Sequence, residues 1–159
     1  MSVPGASVSA MAIAWKLVVD CHDPNALARF WAAALGYEVE DHSAFIDKLI
    51  GFGALTDDDW TLVEDRKSFR ALAAVRHPDD PVDPERGMGL NRRILFQAVP
   101  EPKQLKNRLH IDLHVGPEAL ADEVDRLKSL GATVLAEVNA RGSHHITMTD
   151  PEGNEFDVQ

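Results

Sequence analysis

The clearest structural signal in the chain is DPNALARFWAAALGY, residues 23–37. Asp23 and Pro24 are residue types that favour the N-cap and the first turn of a helix. Apolar residues then recur at helical spacing up to Gly36, a residue typical of the position just after a helix. An apolar run at residues 13–20 precedes the helix, and a second strand-like run follows it. The stretch therefore predicts a strand, a helix and a strand.

The same order of elements returns in the C-terminal part of the chain. An apolar run at residues 109–115 precedes a helical pattern that begins at Pro117 and ends at Gly131. A strand-like run begins at residues 132–135, and two further runs, residues 143–149 and 154–158, close this second unit. The repetition predicts a duplicated β-α-β-β-β module.

We assign residues 13–159 to one domain that contains both modules. Module one is predicted to span residues 13–100, with an insertion at 41–92, and module two is predicted to span residues 107–159. Residues 1–12 lack the basic start and long apolar core of a secretory signal, and we expect them to form a disordered leader.

The insertion in module one carries weaker patterns. Residues 43–52 and 57–64 have the spacing of short helices. Residues 68–76 suit the third strand of the module, although their Ala-rich centre would also suit a helix. The polar, proline-rich segment at residues 77–87 is expected to be either disordered or a lid over a binding site.

The composition restricts the classes of partner. The chain has 16 basic and 26 acidic side chains, which give a formal net charge of −10 at pH 7. A negative surface repels phosphate groups, so we expect neither nucleic acid nor an anionic membrane as a partner. Cys21 is the sole cysteine, which excludes an internal disulfide and favours a buried structural thiol. We expect a cytoplasmic protein.

The helix signal at residues 23–37 and the terminal DPEGNEF, residues 150–156, resemble the vicinal oxygen chelate superfamily of glyoxalases, bleomycin resistance proteins and dioxygenases. Residues 99–113 are more closely similar to the glyoxalase-like domain group within it. The resemblance covers residues 14–158, with 40–92 only loosely matched. It implies an α+β fold whose two βαβββ modules form one curled, eight-stranded mixed sheet around a cleft, and it implies a homodimer.

The resemblance also implies a metal site, because each module of metal-using members supplies one ligand from its first strand and one from its last. The matching positions here are Lys16 and Gln97 in module one, and His110 and Asp157 in module two. Gln97, His110 and Asp157 carry donors suited to one divalent ion, Zn, Ni, Fe, Mn or Co. Lys16 cannot ligate a cation, so a protein without a metal is the alternative.

Two acidic residues lie two positions from a proposed ligand, and therefore on the same strand face. Asp112 follows His110 and Glu155 precedes Asp157. Either carboxylate could replace the missing ligand or serve as the proton-transferring base of an enzyme.

Other polar and aromatic residues are candidates for ligand binding. Lys16 could pair with Asp157, hold an anionic ligand or point to solvent. His114 could line the cleft, and Trp60 could cover the cleft as a lid aromatic or belong to the architecture. His144 and His145 are neighbours on one predicted strand, so at most one of them reaches the cleft.

The resemblance leaves two main functions open. One is a metal-assisted lyase, isomerase or dioxygenase that acts on a small oxygen-rich molecule. The other is a metal-free protein of the bleomycin-resistance type that binds and sequesters a drug or metabolite. A structural dimer without a ligand is a third. Because Lys16 replaces a ligand, true glyoxalase I activity is not expected.

Overall fold

The computed structural model describes residues 13–140 and 142–159, so the predicted leader at residues 1–12 lies outside the described residues. The helices of the described ranges are α1 (Pro24–Leu35), α2 (Ser43–Gly51) and α3 (Leu120–Leu130). The strands are β1 (Leu17–Cys21), β2 (Glu38–Val39), β3 (Trp60–Val63), β4 (Arg66–Phe69), β5 (Leu72–Arg76), β6 (Arg93–Ala98), β7 (Asp112–Leu113), β8 (Thr133–Ala140), β9 (Ser143–Thr149) and β10 (Glu155–Val158). No helix in these ranges is both long enough and apolar enough to span a bilayer.

Two four-stranded mixed sheets repeat one strand order. The strands of module one are ordered β1-β6-β5-β2 and those of module two β7-β10-β9-β8. In each sheet, the first strand of the module is therefore followed by its last, third and second strands. The first and last strands are parallel, and the remaining neighbours are antiparallel. The mixed α+β class is confirmed. Within the described ranges no strand pairing joins the two sheets, so a single eight-stranded sheet stays a prediction.

Helix α1 forms where the sequence predicted it, because a suitable capping residue lies at each of its ends. The Asp23 carboxylate accepts a hydrogen bond from the Ala26 N–H at 3.0 Å, and Pro24 occupies the first turn. Gly36 adopts φ 66°, the left-handed conformation that ends the helix without a Cβ clash. The apolar face of α1 is buried against β5 and β6.

Contacts of α1 also join the two modules. The Trp31 ring packs edge-on against Phe156 of β10, with centroids 5.2 Å apart. The Trp31 indole N–H donates to the buried Asp150 carboxylate at 3.1 Å. From α3, the Arg126 guanidinium donates to the carbonyls of Ala33 and Ala34 near the end of α1. One hydrophobic core therefore serves both modules.

The insertion contains a helix and a hairpin. Helix α2 agrees with the pattern at residues 43–52, and β5 is the third strand predicted within residues 68–76. The helix predicted at residues 57–64 is wrong, because this region enters the β3–β4 hairpin. Glu64 and Asp65 have φ of 50° and 63°, the left-handed pair of a two-residue hairpin turn.

The proline-rich segment after β5 is held to the first sheet by charged contacts. Asp80 is buried and accepts from the Arg92 guanidinium at 2.7 Å. The Gly89 N–H donates to the Glu40 carboxylate at 2.8 Å, and the Arg93 guanidinium donates to both oxygens of that carboxylate. These contacts support neither the disorder nor the lid expected for residues 77–87.

Candidate functional site

Strand alternation in module two separates an apolar face from a polar one. Phe156 and Val158 of β10 are buried in the core, so Asp157 between them projects from the opposite face. In β7, Leu113 is buried and its neighbour Asp112 is exposed. The face turned away from the helices therefore carries the polar side chains of the second sheet.

On this face, His110, Asp112 and Asp157 form a cluster that we call the module-two cluster. The His110 Nε2 atom lies 3.2 Å from Asp112 Oδ1 and 3.5 Å from Asp157 Oδ2. One ligand atom from each of the three residues lies within 4.8 Å of the other two. Asp112 and Asp157 are register partners across the parallel β7–β10 pair.

A neighbouring hydroxyl orients one of the two carboxylates. The Thr147 hydroxyl, from β9, donates to Asp157 Oδ1 at 2.7 Å. That bond leaves Asp157 Oδ2 directed toward His110. Hydrogen bonds of this kind hold the donor atoms of a metal site in place before the ion binds.

A cleft of about 1080 Å³ lies beside the cluster, between β1 and the linker that joins the modules. Its apolar wall includes Leu17, Val19, Ile94, Phe96, Val99 and Ile111. His110 belongs to both the cluster and the cleft lining, and Glu155 also lines the cleft. A molecule held against the apolar wall of the cleft would therefore lie next to the His110 side chain of the cluster.

The structure brings together two of the three predicted ligands. His110 and Asp157 meet, and Asp112 joins them as the compensating carboxylate. Gln97 lies in β6 of the other sheet, where it is exposed. Lys16 is exposed just before β1, does not line the cleft and makes no ion pair with Asp157 in the part of the chain that the structure describes.

Glu155 is occupied by structural contacts. Its carboxylate pairs with Lys103 at 3.0 Å and accepts from the Asn107 N–H at 3.0 Å. Burial would raise the pKa of Glu155, but the Asn107 and Lys103 hydrogen bonds outweigh it and hold the pKa below its usual range. Glu155 is therefore ionised at neutral pH and fastens the linker to β10.

The remaining predicted residues lie away from the module-two cluster. His114 is exposed beyond β7 and does not line the cleft. Trp60 lies in β3, with the Lys67 ammonium 5.2 Å above its ring, and it does not line the cleft either.

His145 is a site neighbour that the sequence left undecided. Its Nε2 atom lies 3.8 Å from Asp157 Oδ2, whereas His144 contacts Glu137 at 2.9 Å. The Thr147–Asp157 register between β9 and β10 places His145 near Asp157. The alternation of the two histidines was visible in the sequence, but this register was not.

Cys21 is a buried thiol at the end of β1. Burial, together with the carboxylates of Glu152, Asp23, Asp20 and Asp150, raises its pKa to about 12. The thiolate that would act as a nucleophile or a metal ligand is therefore scarce at neutral pH, as expected for a structural cysteine.

The comparison with protein families decides the relationship. The sequence model of the family described as "Glyoxalase-like domain" matches residues 16–159. The chain belongs to this family. The predicted resemblance is thus confirmed over nearly the whole glyoxalase-like chain, and no curated protein matches it significantly.

Solved structures with the same fold cover most of this glyoxalase-like protein. The fosfomycin resistance protein FosX from Mesorhizobium loti has a TM-score of 0.57 and 10% identity, covering 94% of this chain and 91% of its own. A glyoxalase/bleomycin resistance protein/dioxygenase family enzyme from Burkholderia phytofirmans PsJN has a TM-score of 0.54 and 14% identity, covering 90% and 94%.

A third neighbour was solved with ligands. A point mutant of FosX from Listeria monocytogenes, complexed with Mn(II) and 1S,2S-dihydroxypropylphosphonic acid, has a TM-score of 0.55 and 11% identity, covering 94% and 90%. At these identities the three likenesses show a common fold.

Proposed function

We propose that this protein is a cytoplasmic, metal-dependent lyase, isomerase or dioxygenase that acts on a small oxygen-rich molecule. The observation that carries the proposal is the module-two cluster, in which a histidine and two aspartates converge at the edge of an apolar cleft. The Mn(II) complex of a protein with the same fold supports it by analogy.

The donors of the cluster fit a divalent transition metal. Ligand atoms that are each ~2.1 Å from one tetrahedral ion are separated by ~3.4 Å, and the two His110–aspartate separations are 3.2 and 3.5 Å. Side-by-side carboxylates in register repel each other, and a divalent cation would neutralise the charges of Asp112 and Asp157. Such an ion would act as a Lewis acid on the oxygens of the substrate.

The residues around the cluster would bind and orient the substrate. The apolar wall of the cleft would hold its carbon skeleton and exclude water from the oxygens turned toward His110. Glu155 is the candidate proton acceptor because it lines the cleft and is ionised at neutral pH. To accept a proton it would have to release Lys103 or the Asn107 N–H, which hold its two oxygens. Its lowered pKa makes it a weak base, so it suits a substrate proton that is already acidic.

A metal-free sequestering protein is the second candidate, and the size and apolar lining of the cleft favour it. About 1080 Å³ lies at the upper end of the usual range for a pocket that holds a small molecule. Lys16, the predicted anion anchor, does not line this cleft. Arg108 does, and it forms no ion pair in the residues that the structure describes, so it would take that role.

Metal content separates the two candidates. Protein purified without chelators or a polyhistidine tag is expected to contain close to one equivalent of a transition metal per chain by elemental mass spectrometry. Chelator treatment followed by titration with Mn²⁺, Zn²⁺, Ni²⁺, Fe²⁺ or Co²⁺ should restore that equivalent. A protein that is purified without metal and binds none of the five ions would contradict the proposal of an enzyme and favour the sequestering protein.

We also propose a homodimer. In the described ranges, β1 and β7 each have an unpaired edge, and Trp15 and Leu109 next to these strands are highly exposed. Pairing with a second copy would satisfy the edges and cover these side chains. Sedimentation equilibrium is expected to give twice the chain mass of 17.5 kDa, and a monomer at micromolar concentration would contradict the proposal.

A further inference from the structure

We propose that a protonated His42 clamps the proline-rich segment to the first sheet, and that this segment opens when His42 loses its proton above neutral pH. The segment, residues 77–92, joins β5 to β6, and we call it the strap. Its residues do not line the cleft beside the module-two cluster. The proposal is therefore independent of the proposed function.

The strap keeps its shape through contacts of its own. Val82 pairs with Gly89 in an isolated antiparallel bridge, and the Asp83 N–H donates to the Met88 carbonyl at 2.8 Å. These contacts close the strap on itself. Its position against the sheet depends on the residues that it meets outside.

The segment that leads from β2 into α2 receives the strap. The buried Glu40 carboxylate accepts from the Gly89 N–H at 2.8 Å. A Cβ added to Gly87 would lie 2.0 Å from the Asp41 carbonyl oxygen, so the two backbones pack without room for a side chain. His42 is the next residue of the same segment.

His42 meets an acceptor on each side of its ring. Its Nδ1 atom lies 2.6 Å from the Arg86 carbonyl oxygen of the strap, and its Nε2 atom lies 3.3 Å from Glu40 Oε2. Nε2 is buried and makes no hydrogen bond within the described ranges, so the ionised Glu40 is its partner. A carbonyl and a carboxylate only accept, and both contacts are favourable only when each ring nitrogen carries a proton.

The neutral ring has a single N–H and cannot satisfy both acceptors. With the proton on Nδ1, the Nε2 lone pair faces the buried Glu40 carboxylate. With the proton on Nε2, the Nδ1 lone pair faces the Arg86 carbonyl. Either tautomer brings two acceptors together away from water, which is costly in a buried site. Loss of the proton therefore weakens the contact that holds the strap at Arg86.

The charged groups around His42 come from both sheet and loop. Arg93 of β6 donates to both oxygens of Glu40, so a guanidinium shares that carboxylate with the imidazole. Asp41 precedes His42 in the chain, and the Arg66 guanidinium of β4 lies 3.8 Å from the Asp41 carboxylate. The two carboxylates and the two guanidinium groups balance in charge. Hydrogen bonding to the ring therefore decides which state of His42 is favoured.

The balance favours the charged ring. Burial and the Arg93 charge would lower the pKa of His42, but the contacts with Glu40 and Arg86 outweigh them and raise it above the 6.5 of a histidine in the unfolded chain. A raised folded-state pKa gives stability that is complete below pH 6.5 and is lost as the pH rises through the folded-state pKa. The strap should therefore be closed in mild acid and open more often in alkaline solution.

Trypsin tests the opening, because it cleaves after arginine and His42 holds the carbonyl of the Arg86–Gly87 bond. Cleavage of this bond in the full-length protein, divided at each pH by the rate for a free peptide of residues 81–91, is expected to rise about tenfold from pH 6 to pH 9. His42→Asn keeps an amide donor in place of Nδ1 but does not titrate, so the rise should disappear. His114→Gln, which replaces an exposed histidine of the other module, should behave as the wild type does.

Two further measurements complete the test. The titration of His42 in the wild type, followed by long-range ¹H–¹⁵N NMR, should have its midpoint above pH 6.5. Gly87→Ala should be cleaved rapidly at every pH, since its Cβ meets the Asp41 carbonyl, and it gives the rate for an open strap. A midpoint at or below pH 6.5, a flat wild-type profile, or the same rise in His42→Asn would each overturn the proposal. Circular dichroism checks that each variant is folded.

Discussion

His110→Gln is expected to lower the affinity for a divalent metal by more than about 100-fold, beyond the loss typical of residues that only support a ligand. His110 Nε2 is the atom that approaches both Asp112 and Asp157, so its removal takes one of the three donors from the cluster. Glutamine keeps the polarity of the side chain but lacks the imidazole nitrogen. Equilibrium dialysis with Zn²⁺ or Mn²⁺ measures the change.

The matched control for this variant is His114→Gln. His114 is another exposed histidine of the same segment, and its replacement should leave the affinity unchanged. Neither variant should alter the unfolding temperature of the metal-free protein, because the His110 side chain is 42% exposed. Equal metal affinity in His110→Gln and the wild type would show that the module-two cluster is not the metal site.

Arg93→Ala is expected to reduce the free energy of unfolding by about 3–5 kcal/mol. The Arg93 guanidinium donates to both oxygens of Glu40, whose side chain is 0% exposed. Removal of Arg93 leaves that carboxylate buried with only the Gly89 N–H at 2.8 Å and His42 at 3.3 Å. Urea unfolding at pH 7 measures the loss.

The matched control is Arg92→Ala, because Arg92 is the sequence neighbour and also binds a carboxylate. Its side chain is 57% exposed, so water can partly replace it at Asp80 and the destabilisation should be smaller. Equal losses in the two variants would show that burial of Glu40 does not set the energy of the pair.

The pH dependence of the Arg93→Ala effect identifies its origin. Burial would raise the pKa of Glu40, but contacts with His42, Arg93 and the Gly89 N–H lower it to about 2, from 4.5 in the unfolded chain. A lowered folded-state pKa gives stability that is complete above pH 4.5 and is lost as the pH falls toward 2. The difference between wild type and variant should therefore shrink over that range.

Some of the candidate site could be predicted from local patterns. The period-two alternation of β10, which puts Asp157 and Phe156 on opposite faces, belongs to the strand itself. Asp112 was recognised as a compensating carboxylate because it is two residues from His110. The helix predicted at residues 57–64 failed because a short apolar run does not distinguish a helix from a hairpin strand, and the turn at Glu64 and Asp65 requires no glycine.

The sequence by itself determined the paired helices, the strands that flank them and the duplicated order, since capping residues and hydrophobic periodicity act over a few residues. The resemblance to the glyoxalase-like family added His110 and Asp157 as candidate ligands, through their positions in that order. Only the tertiary structure decided that Gln97 and Lys16 lie apart from them and that His145 lies beside Asp157. Those distances depend on how two sheets are arranged and on the register of β9 against β10, and both are set by packing between residues far apart in the chain.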